Sequence, residues 1–216
     1  MNSNEIKKLD KEKIVATYNR YDMVAGSGKG ARCISVDGKE YIDFTAGIGV
    51  NSLGFCDDGW VKAVTEQLGR LQHVSNLYYT EPQVKVAKML TERSGLEKVF
   101  FGNSGAETNE AAIKTARKYG SVSKGIEKNK IITLNNSFHG RTMATITATG
   151  QEGYHKYFTP FLDGFDYCDA NDIQQLEKLV DENTCAVMME MIQGEGGVLN
   201  LDEAFVKAAE RICAEK

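Results

Sequence analysis

Three stretches of this 216-residue chain place residues with chemical reach directly after a strand-like apolar run. In α/β proteins such strand ends are where ligands are held. The first, Val99-Phe-Phe-Gly-Asn-Ser-Gly-Ala-Glu-Thr-Asn, passes from apolar residues through a turn bearing Gly102 and Gly105 into a helical pattern. The first N–H groups of a helix have no intrahelical acceptor and sit at the positive end of its dipole, Gly102 and Gly105 leave room for a phosphate to approach the backbone, and Ser104 can add a hydroxyl, which makes this turn a candidate phosphate cup. The same residues equally suit an ordinary helix start with Ser104 as N-cap.

The second stretch, Ile131-Ile-Thr-Leu-Asn-Asn-Ser-Phe-His-Gly-Arg-Thr, carries an aromatic residue, a histidine and an arginine close together. The face of Phe138 can stack on a planar ring, and Arg141 can grip a carboxylate through two parallel hydrogen bonds. A core phenylalanine and a solvated arginine are the plainer alternative. The third stretch, Ala186-Val-Met-Met-Glu-Met-Ile-Gln-Gly-Glu-Gly-Gly-Val, ends an apolar run at Glu190, whose carboxylate therefore needs a partner. Glu195 follows in a glycine-rich loop, the kind of exposed segment that carries function. A structural salt bridge is the alternative for both glutamates.

Other patterns lack the context that would give them meaning. Gly26-Ser-Gly-Lys-Gly-Ala resembles a dinucleotide fingerprint but precedes a hairpin signal instead of joining a strand to a helix. A Walker loop fails there too, because Met23 and Gly30 stand where glycine and a hydroxyl residue are needed. His73, His139 and His155 have no triad or metal spacing, and no G-x-S-x-G elbow occurs.

Positioning three strand ends together requires alternating strands and helices. Residues 4 to 17 read as an amphipathic helix, and Ile34 to Ile42 as a hairpin turning at Asp37-Gly38. Helical patterns follow at 58–71, 81–93, 106–119, 172–180 and 202–214, and strand-like runs at 99–101, 131–134 and 185–190. Residues 121–129 and 150–169 read as loose surface connections. Short apolar strands between helices predict an α/β fold with a mostly parallel sheet covered on both faces.

Composition narrows the class of function. Twenty-six Lys and Arg against 30 Asp and Glu, a net charge of −4, leave no basic surface for nucleic acid. Five cysteines without a C-x-x-C pair, and only three histidines, argue against both a disulfide framework and a zinc site. The N-terminus has no apolar core of a signal peptide, and no membrane-length apolar run follows, which predicts a cytoplasmic protein with no membrane partner.

Taken in order, NSGAETNEAAIKTARKY, NSFHGRT and EMIQGEGGV resemble the class III aminotransferases, the acetylornithine aminotransferase group most closely. The likeness runs from Tyr18 to the C-terminus and includes DFTAGIGVN from Asp43, SNLYYTEPQ from Ser75 and ATGQEGYHK from Ala148. It implies a fold-type-I transferase using pyridoxal 5'-phosphate, with residues 1–50 as an N-terminal helix and hairpin segment and 51–216 as the first part of the large cofactor domain. By the resemblance, Ser104, Gly105 and Ala106 hold the cofactor phosphate, Phe138 stacks on its ring, and Glu190 is the buried glutamate nearby. Arg141 takes the substrate carboxylate, and Glu195 switches the site between two substrates.

The implied reaction moves an amino group from N-acetylornithine, or a related acylated diamino acid, to 2-oxoglutarate in arginine biosynthesis. The implied assembly is a homodimer. Ile48 stands where ornithine-type members carry tyrosine, although a 4-aminobutyrate-type enzyme also tolerates isoleucine there. Two departures from the family pattern stand out: Gly54-Phe-Cys-Asp-Asp replaces a Gly-His-x-His-Pro run, and Met191 replaces a proline after Glu190. No lysine matches the family's Schiff-base lysine, which the resemblance places beyond Lys216. On that reading the 216 residues alone are inactive, and a cofactor-binding fragment without catalysis is the rival function.

Overall fold

The computed structural model describes residues 1–123 and 128–216. The chain divides into two compact units, residues 1–84 and 85–216.

The first unit opens with α1 (Ser3–Lys13), whose start is closed by a reciprocal cap: Asn2 Oδ1 accepts the Glu5 N–H, and Glu5 Oε2 accepts the Asn2 N–H. The helix stops short of residue 17 because Ile14 is already extended, in keeping with the β-branched pair Ile14-Val15. Strands β1 (Ala25–Lys29), β2 (Arg32–Ser35) and β3 (Glu40–Ile42) form an antiparallel meander with Ile34 opposite Glu40. The hairpin turns at Asp37-Gly38 as the sequence predicts, with Gly38 at φ +83°.

The glycine-rich run before the hairpin has a packing role. A Cβ at Gly28 would sit 2.7 Å from the Phe55 ring, and Gly30 and Phe55 exchange two backbone hydrogen bonds of 2.8 Å. Helix α2 (Asp58–Arg70) then starts on Asp57, whose side chain accepts the Trp60 N–H at 2.8 Å. The unusual Gly54-Phe-Cys-Asp-Asp sequence thus supplies its own helix cap. Before it, Ala46, Gly47, Ile48 and Gly49 all have positive φ, a left-handed turn that leaves Ile48 95% exposed. Helix α3 (Glu81–Ser94) begins in the first unit and ends in the second.

The second unit contains α4 (Gly105–Ser123), β4 (Lys130–Leu134), α5 (Met143–Ala148), α6 (Glu152–His155), β5 (Phe165–Cys168), α7 (Ile173–Leu179), β6 (Thr184–Val187), the pair β7 (Ile192–Gln193) and β8 (Leu199–Asn200), and α8 (Glu203–Glu215). β4 is the middle of a parallel sheet ordered β5-β4-β6, with Ile131 opposite both Phe165 and Ala186. Its alternating side chains feed two cores. Ile131 packs with Ile113, Ala144 and Ala148 of α4 and α5. Ile132 and Leu134 pack with Leu176, Phe205, Ala209 and Ile212 of α7 and α8. Each fully buried large apolar side chain of this kind stabilises the fold by about 1.5–3 kcal/mol.

Four expectations need correction. Residues 99–101 are not a strand: they find no ladder partner among the described residues, and Phe100 is 67% exposed. An apolar run without a neighbour to pair with cannot satisfy its backbone as a strand. Residues 150–169 are not merely a loose connection, since they contain α6 and the sheet strand β5. The strand at 185–190 ends at Val187; Met188 N donates to Ile132 O at 2.8 Å and the chain then leaves the ladder. In the 121–129 segment, Ser121–Ser123 continue α4, and residues 124–127 lie outside the described residues. No helix among the described residues is long and apolar enough to cross a membrane, and none of their side chains cluster as a metal site.

Candidate functional site

The cup forms as the start of α4. Ser104 Oγ accepts the Glu107 N–H at 3.2 Å and Ser104 O accepts the Thr108 N–H at 3.1 Å, so Ser104 is the N-cap. Glu107 folds back to accept the Asn103 backbone N–H at 2.6 Å and fixes the approach to the helix. The N–H groups of Gly105 and Ala106, in the first helical turn, have no intrahelical acceptor, and a Cβ at Gly105 would meet nothing within 4 Å. Cap and cup therefore coexist. The cap uses the Ser104 oxygen as acceptor and leaves its hydroxyl proton as a donor.

The second turn lies against the first. A Cβ at Gly140, which has φ +134°, would come 2.8 Å from Ala106 Cβ, so only glycine lets the two turns touch. Asn109 of α4 donates to His139 O at 2.8 Å. Glu110, one residue on, accepts the Thr142 hydroxyl at 2.5 Å and the Ala144 N–H at 3.2 Å, so a carboxylate from α4 caps α5 and steadies the turn bearing Arg141.

The third turn is bound to the second at four points, three of them direct and one through Tyr154 of α6. Glu190 Oε2 accepts the Phe138 N–H at 2.9 Å, Gln193, only 1% exposed, donates to Asn135 O at 2.9 Å, and Tyr154 of α6 donates to Glu195 Oε1 at 2.8 Å. At the fourth point Gly196 is so close that a Cβ would sit 2.6 Å from Asn136 O. The Phe138 ring packs at a tilt on Tyr154, centroids 5.4 Å apart, and the Arg141 guanidinium lies 6.0 Å from the Phe138 ring centre and 5.8 Å from that of Tyr154.

All seven sequence-nominated residues thus fall on three mutually braced turns of one unit. Two of them, Phe138 and Glu190, line a cavity of about 570 Å³ together with Asn109, Ile113, His139 and neighbouring residues, while Ser104, Gly105, Ala106, Arg141 and Glu195 lie outside its lining. His139 is 4% exposed, and its Nε2 has no hydrogen-bond partner. Burial pushes its pKa down to about 4, so the ring is neutral at pH 7. Its contribution was not legible in spacing, because a single histidine after a strand carries no pattern. Tyr154 was missed for the same reason. Its phenol is held above the ordinary range, first by the hydrogen bond to Glu195 and then by burial.

Helix-start N–H groups suit a phosphate, an aromatic face suits a planar ring, and a guanidinium suits a carboxylate, so the donor set fits a phosphorylated planar cofactor and an acidic substrate. No lysine lines the cavity.

Comparison with known proteins follows the same line. An acetylornithine aminotransferase of Haemophilus ducreyi is 49% identical over 99% of this chain and 54% of its own length. The N-acetylornithine aminotransferase of Stenotrophomonas maltophilia superposes with a TM-score of 0.78 at 38% identity, over 96% of this chain and 50% of that one. An ornithine aminotransferase structure from Toxoplasma gondii, described as having partial occupancy of PLP at its active site, superposes with a TM-score of 0.92 at 31% identity, over 99% of this chain and 51% of that one. This chain spans about half the length of the curated relatives it matches. The fold is the α/β architecture of the fold-type-I aminotransferases, whose cofactor is pyridoxal 5'-phosphate. The pattern of the family described as aminotransferase class-III matches residues 15–216, and the chain belongs to that family.

Proposed function

We propose that the protein carrying this chain transfers the side-chain amino group of N-acetylornithine, or of a related acylated diamino acid, to 2-oxoglutarate, a step of arginine biosynthesis. The observation that carries this reading is the bracing of all three turns: a phosphate cup, an aromatic platform, a guanidinium and two carboxylates held by hydrogen bonds and close packing between the turns. The names of the relatives, acetylornithine aminotransferases at 45–51% identity, supply the donor.

In this reading Ser104, Gly105 and Ala106 hold the cofactor phosphate. Phe138, fixed through its N–H by Glu190, covers one face of the ring. Arg141 orients the carboxylate of the amino acid or oxo acid, and Glu195 beside Tyr154 distinguishes the two ligands. Bound pyridoxal phosphate supplies the electron sink for amino transfer, while the protein supplies orientation and charge. The exposed Ile48, where ornithine-type members carry tyrosine, favours the acylated donor. We place the enzyme in the cytoplasm as a homodimer acting on small amino and oxo acids.

The test is an assay for glutamate formation from N-acetylornithine and 2-oxoglutarate, run beside free ornithine and 4-aminobutyrate. Faster turnover of either rival donor would overturn the assignment. Arg141→Lys keeps the charge but loses the planar fork, and should cost about tenfold or more in kcat/KM.

A further inference from the structure

Tyr154 touches residues from two of the three turns although it belongs to neither. Its hydroxyl donates to Glu195 Oε1 at 2.8 Å, its ring packs on Phe138, and the Arg141 guanidinium lies 5.8 Å from its ring centre. The phenol feels both charges: Glu195 holds its pKa up, while Arg141 acts in the other direction. A carboxylate and a guanidinium that both neighbour one side chain will pair with each other if nothing restrains the carboxylate.

We infer that Tyr154 is a positioning residue that decides which anion meets Arg141: its hydroxyl anchors the Glu195 carboxylate, so that the carboxylate of an amino-acid or oxo-acid ligand reaches the guanidinium. The inference rests on the reading of Arg141 as the carboxylate clamp. Tyr154→Phe keeps the ring on Phe138 and removes the anchor, so Glu195 becomes an internal competitor for Arg141 and ligand binding weakens. Glu195→Gln removes the competitor's charge. The second substitution should therefore restore what the first took away, which lost packing would not allow.

The experiment is calorimetric titration of residues 1–216 with 2-oxoglutarate, for the wild type, Tyr154→Phe, Glu195→Gln, the double variant and Arg141→Gln. Tyr154→Phe is expected to bind about five- to tenfold more weakly, the scale of one ordinary net hydrogen bond, with the double variant returning to the affinity of Glu195→Gln alone. If Tyr154→Phe binds as the wild type does, or its loss persists in the double variant, the inference is wrong; the clamp survives if Arg141→Gln has lost binding. A wild type that does not bind, or an Arg141→Gln variant that binds equally well, removes both. A second measurement needs no ligand. The phenolate absorbance titration of Tyr154, isolated by subtracting Tyr154→Phe, should move to lower pH in Glu195→Gln, and an unmoved midpoint would overturn the anchor.

Discussion

Glu190 Oε2 accepts the backbone N–H of Phe138 at 2.9 Å, across 52 residues of sequence. This bond, not stacking alone, fixes where the aromatic face stands. Glu190→Ala leaves the N–H without its acceptor and should destabilise the chain by about 1–3 kcal/mol in urea unfolding. Glu190→Gln retains an acceptor oxygen and should lose less than half as much. Equal losses in the two variants would mean that the carboxylate matters for its charge and not for this bond.

His139 ties stability to pH. Its pKa is about 4 in the folded chain against an ordinary value of 6.5, so above pH 6.5 both states hold it neutral. Between pH 6.5 and 4 the unfolded chain takes up a proton that the folded chain refuses, and stability falls as pH falls, by roughly 3 kcal/mol across that window. His139→Asn should flatten this part of the stability curve. The check is the urea midpoint of both proteins from pH 7 to pH 4.

Gly196 is set by space, not by backbone conformation. A methyl group there would press on Asn136 O at 2.6 Å, so Gly196→Ala should cost about 1–3 kcal/mol through overpacking. Gly194, with nothing within 4 Å of a built Cβ, is the control, and Gly194→Ala should leave the melting temperature nearly unchanged. Similar melting temperatures for the two variants would show that the loop shifts freely and that the third turn is not braced on the second.

Gly105 separates folding from binding. Its Cβ direction is open, so Gly105→Val should fold about as well as the wild type, yet fill the space over the first helical N–H groups. Pyridoxal phosphate affinity, followed by absorbance, should fall by about 1–3 kcal/mol. Undiminished affinity in a well-folded variant would take the phosphate out of this cup.

The chemistry at the three turns was legible because glycine, hydroxyl, aromatic and charged residues fall there directly after apolar runs. The helix capped by Ser104, the hairpin at Asp37-Gly38 and β4 follow from the same local signals. What local pattern could not supply was partnership. Val99-Phe-Phe has the composition of a strand and no neighbour to pair with among the described residues, while Phe165-Asp-Tyr-Cys, only four residues long and interrupted by a charge, is a strand because β4 lies beside it. Tyr154 and His139 gain their significance from Glu195, from burial and from the cavity, none of which is near them in sequence.

The bonds that brace the site close long loops. Gln193 reaches Asn135 across 58 residues, and β4 is flanked by strands that begin 35 and 54 residues after it does. Apart from the locally capped cup, the candidate site is built by long-range contacts, so it becomes native only when the second unit's crossover pairings have closed. Folding and site formation are then a single event. A lesion deep in the core, at Leu176 or Phe205 for example, would appear in a binding assay as fewer competent molecules with normal affinity, while a lesion in the turns would appear as full occupancy at lower affinity.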